Sequence, residues 1–299
     1  MNLTKRIFLF MAVNILIIGM ISVLLSVLGV QPYLTAKGIN YQSLMIFCVI
    51  WGFGGAFISL ALSKFMAKKM MGVKIIAPDS RDLNEQKLVQ KIYAFSRNAG
   101  LKKMPEVGYY ESDELNAFAT GATKSSSLVA VSTGLLSRMN EKELDGVLAH
   151  EVAHIANGDM VTMTLLQGVV NSFVMFLARV LGFFAGQFVD EEKRGIVQFG
   201  IVIALEIFLG MLGMMVVSYF SRKREYKADA GGASLANRES MIAALEKLKQ
   251  NYQSVINKED EQPALATLKI SGKPNGFLKL FSTHPDIDDR ILRLRNAMH

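Results

Sequence analysis

The residues best suited to chemistry form the segment His150-Glu151-Val152-Ala153-His154. On a helix, positions i and i+4 share a face, so the imidazoles of His150 and His154 can bind one zinc ion. Glu151 follows the first histidine directly, where its carboxylate can hold a water molecule and accept its proton. The chain has only four histidines, and two of them lie in this segment. An incidental pair on a helix is therefore the weaker interpretation.

A catalytic zinc ion takes three protein ligands and keeps one open position, so the pattern requires a third ligand. No further histidine follows at a metal-binding spacing, but Glu225 and Asp229 lie four positions apart and share a helix face. Glu225 can complete the ligand set, and Asp229 can accept a hydrogen bond from a ligand imidazole. By spacing alone, a surface helix with two acids on a charged face is the simpler interpretation.

The composition excludes several other kinds of site. A single cysteine, Cys48, rules out an intramolecular disulfide and a metal site built from cysteines. The formal net charge is +7, but no basic stripe interleaved with aromatic residues occurs. We interpret the basic residues as loop charges that orient membrane helices, and we expect no nucleic-acid partner. Because hydrophobic residues make up 51% of the chain, membrane spans must be sought first.

Four segments are long and apolar enough to cross a bilayer as helices, which takes about 20 residues. They are residues 7–30, 43–62, 161–188 and 196–220. For the last two, which carry Arg179 and Glu206, a buried hairpin of a soluble domain is the alternative. Basic residues flank the cytoplasmic ends predicted by the positive-inside rule, namely Lys5, Arg6, Lys64, Lys68, Lys69, Lys74, Arg222, Lys223 and Arg224. Both termini and the polar regions are therefore predicted to be cytoplasmic.

The last two spans are predicted to form an antiparallel hairpin, which places residues from each at equal depth. Arg179 and Glu206 lie equally far from its turn, so we predict that they pair, since lone charges are costly inside a membrane. At the other end, His154 lies seven residues before one span and Glu225 five residues after the other. The hairpin therefore favours Glu225 as the third ligand.

The polar regions predict a mainly helical α+β domain made from two separated stretches, residues 63–160 and 221–299. Residues 1–62 and 161–220 supply its four-helix membrane anchor. Asn140 with Glu143 predicts an N-cap for the helix that carries His150. We predict further helices at 82–100, 238–252 and 287–298, strands at 107–110, 116–120 and 128–132, and an irregular, flexible segment at 252–274 that gates the site.

Four motifs carry a resemblance to a known family: His-Glu-Val-Ala-His-Ile-Ala-Asn-Gly-Asp, Arg-Glu-Tyr-Lys-Ala-Asp, Asn-Ala-Phe-Ala-Thr-Gly and Ser-Thr-His-Pro. Together with the four spans, they make essentially the whole chain resemble the HtpX family of bacterial inner-membrane zinc metalloproteases. The resemblance implies a gluzincin fold, one zinc ion per chain held by His150, His154 and Glu225, and Glu151 as catalytic base. The related prenyl-CAAX proteases share the zinc motifs, but four spans argue against that branch.

Two further motifs gain a role from the resemblance. It implies that Asn116, Ala117, Phe118 and Ala119 form the edge along which a substrate peptide binds as an added strand. Without it, a buried strand is the better interpretation of this stretch. The resemblance also makes His284 a candidate catalytic donor to the oxyanion of the tetrahedral intermediate, the alternative being a structural histidine that caps the last helix.

The implied function is that of a multi-pass inner-membrane endopeptidase that cleaves misfolded or damaged membrane proteins at the cytoplasmic face. Its expected partners are membrane-protein polypeptides, the lipid bilayer and other membrane quality-control proteases, often in a stress response. One alternative is a non-enzymatic, zinc-stabilised membrane scaffold or chaperone, for which a fourth protein ligand would be needed. The other is a transporter, suggested by polar residues within the spans, which leaves Glu151 unexplained.

Overall fold

The computed structural model of the chain describes residues 38–260 and 276–296, with positions 23, 27, 34 and 35 before them. The predicted span at 7–30, apart from positions 23 and 27, and most of the predicted segment at 252–274 lie outside the described residues. The strands are β1 Leu34–Thr35, β2 Gly38–Ile39, β3 Lys74–Ile75, β4 Glu106–Tyr110, β5 Ala117–Thr123 and β6 Ser126–Ser132. The helices are α1 Tyr41–Met70, α2 Leu83–Asn98, α3 Thr133–Arg138, α4 Glu141–Asn157, α5 Asp159–Gly186, α6 Glu191–Leu235, α7 Arg238–Asp260 and α8 Ile287–Asn296, with a 3₁₀ helix at Gly276–Phe281.

The chain divides into two compact units, of which one contains residues 1–61 and 162–217. Among the described residues, three helices are long and apolar enough to cross a membrane, namely α1, α5 and α6. They correspond to the second, third and fourth predicted spans. Helices α1 and α6 extend beyond the predicted bounds at both ends, because a helix continues into polar sequence until a breaking residue or a cap ends it. Helix α5 begins two residues before the predicted span at 161–188 and ends two residues before its predicted end.

The predicted ion pair is present in this unit. Nη1 of Arg179 on α5 lies 2.5 Å from Oε1 of Glu206 on α6, and both side chains are partly buried. The guanidinium of Arg179 also lies 5.4 Å from the ring centre of Phe47 on α1, a cation–π distance. The pair therefore neutralises two charges that would be costly alone in an apolar unit.

The second unit, residues 62–161 and 218–299, contains a four-stranded sheet in the order β3-β4-β6-β5. β4 and β6 are parallel, and the other two pairs are antiparallel. The central strand β6 is buried almost throughout because its apolar residues run consecutively, which is typical of a strand covered on both faces. Strands β5 and β6 are longer than predicted, since β5 continues past Gly121 through a register shift, leaving a turn of only residues 124–125.

The core of this unit lies between the sheet and helices α2 and α4. Its centre is formed by Ile92, Val129, Val131, Leu148 and Val152, which have no or almost no exposed surface. Burying such side chains stabilises the fold by about 1.5–3 kcal/mol each. The core thus fixes one face of α4, the helix that carries His150 and His154, against the sheet.

Local sequence signals define the starts of two helices, and the second of these caps was predicted. Asp82 accepts hydrogen bonds from the main-chain N–H groups of Asn84 and Glu85, and so caps α2. Asn140 and Glu143 form a reciprocal capping box at the start of α4.

The prediction of an irregular segment at 252–274 is wrong over residues 252–260, which are helical in α7. No Gly or Pro occurs between Arg238 and Asp260, so nothing in the sequence ends the helix earlier. Residues 261–274 lie outside the described part of the chain.

Candidate metal centre

Three side chains from two helices converge in the second unit. Nε2 of His150 and Nε2 of His154, both on α4, lie 3.1 Å apart. The carboxylate of Glu225 on α6 straddles them, with Oε1 3.4 Å from Nε2 of His154 and Oε2 3.5 Å from Nε2 of His150. One ligand atom from each residue lies within 4.8 Å of the other two. The predicted ligands are thus brought together at the spacing of a metal site.

A carboxylate lies beside the outer nitrogen of each ring. Nδ1 of His150 lies 3.0 Å from Oδ1 of Asp229, and Nδ1 of His154 lies 2.6 Å from Oδ2 of Asp159. A carboxylate beside Nδ1 favours the tautomer with its proton there, which leaves the Nε2 lone pair free. In that tautomer, two imidazole lone pairs and a carboxylate face one another, a donor set that fits a bound cation.

Asp159 was not predicted as part of the site. It follows Gly158, which ends α4 with φ +73°, a left-handed conformation that favours glycine. The resulting turn points the buried Asp159 back at His154, five residues earlier. The signal was present in the motif His-Ile-Ala-Asn-Gly-Asp, where a glycine cap is followed directly by an acid.

Arg290 on α8 was also missed. Its Nε lies 2.8 Å from Oδ2 of Asp229, and its Nη2 lies 2.6 Å from Oδ1, which makes a two-point contact. Nη2 also lies 3.7 Å from Oε2 of Glu225. Arg290 shares the buried face of α8 with Ile291 and Leu294. An arginine at helical spacing with buried apolar residues is unusual, and this was the available signal.

A close approach between α4 and α6 sets the separation of the ligands. A Cβ atom at Gly232 would lie 3.1 Å from the main-chain nitrogen of His150 and 2.9 Å from Sδ of Met241. The helix that carries Glu225 therefore contacts the main chain of the first ligand directly. A side chain at residue 232 would push the two helices apart.

Glu151 occupies the position expected of a base. It follows His150 on α4, and its carboxylate accepts a hydrogen bond from the main chain of Ala119 on β5. Burial raises the pKa of Glu151 and the nearby Glu225 adds to this, while His150 and His154 oppose it, and the net shift is upward. A carboxylate with a raised pKa holds a proton more readily, as a general base must.

The electrostatics of the cluster favour positive charge where the imidazoles meet. Burial alone would lower the pKa of His154, but hydrogen bonds to Asp159 and Glu225 raise it to about 9. Burial alone would raise the pKa of Glu225, but contacts with His150, His154 and His284 hold it far below its usual range. The carboxylates thus stabilise a cation at this point, whether a proton or a metal ion.

Of the remaining predicted site residues, His284 contacts the cluster, while the residues at 116–119 belong to β5 or directly precede it. Nδ1 of His284 lies 3.0 Å from Oε2 of Glu225, although 68% of the His284 side chain is exposed. Asn116 precedes β5, which pairs with β6 on one side and is an edge among the described strands. Phe118 packs against Tyr110 with ring centres 5.7 Å apart.

Comparison with known proteins matches residues 82–298 to the model of peptidase family M48. The chain belongs to peptidase family M48. Members of this family are metal-dependent proteases, so the chain is a metalloprotease, and its three apolar helices make it a membrane protein. The resemblance to HtpX proteases is confirmed by relatives that match nearly the whole chain.

A protease HtpX homolog of Bacillus subtilis (strain 168) is 52% identical, covering 98% of this chain and 99% of the relative. Protease HtpX of Thioalkalivibrio sulfidiphilus is 48% identical, covering 97% of this chain and 98% of the relative. A crystal structure of S. mikatae Ste24p has a TM-score of 0.67 at 18% identity, covering 98% of this chain and 64% of that protein. The M48 chain thus shares the Ste24p fold while spanning about two thirds of its length.

Proposed function

We propose that this M48 chain is a zinc-dependent endopeptidase that cleaves misfolded or damaged membrane proteins at the cytoplasmic face of the bacterial inner membrane. The observation that carries the proposal is the convergence of His150, His154 and Glu225 beside Glu151. A non-enzymatic scaffold needs no base at that point. A transporter needs no converging donors on the second unit.

Zinc fits the donor set by size and by chemistry. The separation of 3.1 Å between the two Nε2 atoms is close to the ligand–ligand edge of about 3.3–3.4 Å that tetrahedral bonds of about 2.0–2.1 Å produce, and each Nε2 atom has one oxygen of Glu225 at 3.4 or 3.5 Å. Two imidazoles and one carboxylate form a common catalytic zinc set. We therefore assign His150, His154 and Glu225 to one zinc ion per chain, with Asp159 and Asp229 orienting the imidazoles.

The residues of the chain then divide the catalytic work. Bound zinc lowers the pKa of water and polarises the scissile carbonyl. Glu151 accepts the proton of the attacking water and passes it to the leaving amine nitrogen. His284, held at the edge of the cluster by Glu225, donates to the oxyanion of the tetrahedral intermediate.

The edge strand β5 supplies the binding surface for the peptide. A substrate segment placed beside residues 116–119 would bond to the main chain, which is largely independent of side-chain sequence. Two observations support this role: β5 is an edge among the described strands, and Ala119 contacts Glu151 through its main chain. Broad substrate choice follows from this mode of binding.

The orientation and partners follow from charge and location. Lys64, Lys68 and Lys69 near the end of α1, with Arg222 and Lys223 after the apolar part of α6, favour a cytoplasmic position for the second unit. At that face the enzyme would meet the cytoplasmic loops and tails of other proteins in the same bilayer. A role in membrane quality control and in the stress response, beside other such proteases, is the corresponding proposal.

The test compares wild type with Glu151→Gln, both purified in detergent without metal and reloaded with zinc. We expect equal zinc content and a cleavage rate of an unfolded membrane protein that is lower in the variant by about 10²–10⁴-fold. Glu141→Gln, an exposed acid in the first turn of the same helix, is the matched control and should cleave normally. Zinc bound by wild type without any cleavage would instead favour the scaffold.

A further inference from the structure

A cavity of about 550 Å³ lies in the second unit next to the candidate metal centre. Its walls come from α6, from α7 and from the chain around the start of α8. His284 links the cavity to the metal centre, because it lines the wall while its Nδ1 lies 3.0 Å from Oε2 of Glu225. Tyr226, the residue after Glu225, lines the wall as well.

The lining combines apolar side chains with charged ones. Its apolar residues are Tyr226, Tyr252, Leu280, Pro285 and Ile287. Nζ of Lys249 lies 2.5 Å from Oδ1 of Asp288. The hydroxyl of Tyr226 donates to Asp289, whose Oδ2 also lies 3.1 Å from Nε of Arg293. With these charges engaged, the aromatic and aliphatic surface is available to a ligand, beside Lys279 and Asp286, which also line the cavity.

One wall of the cavity is formed by residues 279–282, and α6, the helix that carries Glu225, holds this wall in place. Nη1 of Arg222 donates to the main-chain oxygens of Ser282, Leu280 and Lys279, at 2.6, 3.3 and 3.4 Å. The hydroxyl of Ser218 donates to the main-chain oxygen of Phe281 at 3.0 Å. The cavity is therefore formed before a ligand arrives, which lowers the cost of binding.

We propose that this cavity binds one large apolar or aromatic side chain of the substrate and so gives the protease a preference at one position near the scissile bond. The inference rests on the proposed function. An extended peptide advances about 3.3 Å per residue, so a wall that begins at His284 lies within about two residues of the metal centre. Main-chain binding along β5 would then accept most sequences, while this cavity selects where they are cut.

The test uses Leu280→Trp, which replaces the leucine side chain by a larger aromatic ring and so fills the cavity. Leu280 is already 42% exposed, so the ring has room. Cleavage of a peptide library by the full, zinc-loaded chain in detergent is mapped by mass spectrometry. For wild type, we expect kcat/KM to favour Phe or Leu over Ala at one position by about 10- to 100-fold. In Leu280→Trp that ratio should fall by about tenfold or more.

The matched control is Leu136→Trp, which fills a second cavity of about 560 Å³ that none of the metal-centre residues lines. The control should keep the wild-type ratio. If Leu280→Trp folds poorly, Leu280→Ala enlarges the cavity and should raise the preference for Trp over Leu.

Two outcomes would overturn the inference: a flat wild-type profile, or equal ratios in wild type and both Leu280 variants. Either leaves the proposed function standing as long as cleavage is lost in Glu151→Gln. Cleavage that persists in Glu151→Gln would contradict the proposed function itself.

Discussion

The ion pair in the first unit and the charged cluster in the second unit balance their charges in different ways. Arg179 and Glu206 meet at 2.5 Å and cancel each other. Around the imidazoles, the carboxylates of Asp159, Glu225 and Asp229 are opposed by the guanidinium of Arg290 and by the imidazoles themselves. Three carboxylates against one guanidinium leave an excess of two negative charges, which protons on the imidazoles or a divalent cation can balance.

The difference separates a structural contact from a functional one. A self-neutral pair joins two helices and requires no ligand, whereas a cluster with an excess of two negative charges is completed by a divalent cation. Glu151 adds a further carboxylate beside the cluster, and burial raises its pKa, with a smaller contribution from Glu225. Excess charge and burial together mark the site.

The largest effect is expected from removing a direct ligand. Glu225→Gln removes one negative charge and one anionic donor from the cluster, so zinc should be lost. Cleavage should fall by more than the roughly 100-fold expected when a residue that only contacts a ligand side chain is changed. Metal content per chain and cleavage rate measure both effects. Glu239→Gln, an exposed acid on α7, should change neither. Full zinc content in Glu225→Gln would contradict the ligand assignment.

A smaller effect is expected from reversing the ion pair. Arg179→Glu or Glu206→Arg alone places two like charges together in the apolar unit and should lower the free energy of unfolding by about 3 kcal/mol. The double reversal should recover most of this loss. Thermal unfolding in detergent measures the loss of stability and its recovery. The zinc content of the folded fraction should be unchanged in all three variants. Damage in the double variant equal to the sum of the single losses would show that the pair contributes no stability.

The smallest of these effects is expected from Arg290→Met. Asp229 would lose its two-point contact and hold the imidazole of His150 less firmly, so zinc affinity should fall by about 10–100-fold. That range corresponds to about 1.4–2.8 kcal/mol. Competition with a coloured zinc chelator measures it, and Arg295→Met, an exposed arginine on the same helix, is the control. If zinc affinity is unchanged and only the melting temperature falls, Arg290 stabilises the fold and does not act on the site.

Local rules were enough to find much of the site. The spacing i, i+4 placed His150 and His154 on one helix face and Glu225 and Asp229 on another, and the structure brings the two faces together. The capping signal at Asn140 and Glu143 gave the start of α4. Apolar length gave three helices that the structure describes. These features depend on residues close together in the chain, where periodicity carries information.

The parts that were missed depend on tertiary contacts. Arg290 meets Asp229 across 61 positions, and no local pattern connects the two. Asp159 reaches His154 only because the chain reverses at a left-handed glycine. The end of α7 was predicted too early, since no Gly or Pro ends the helix before Asp260.

The contact at Gly232 has a consequence for how far the sequence can vary outside the cluster. An added methyl group would require its neighbours to give by a few tenths of an ångström. Because His150 and Glu225 lie on the two helices that meet there, such a change would move the donor side chains without altering any of them. The tolerance of the donor arrangement to mutation thus depends partly on a residue that offers no donor of its own.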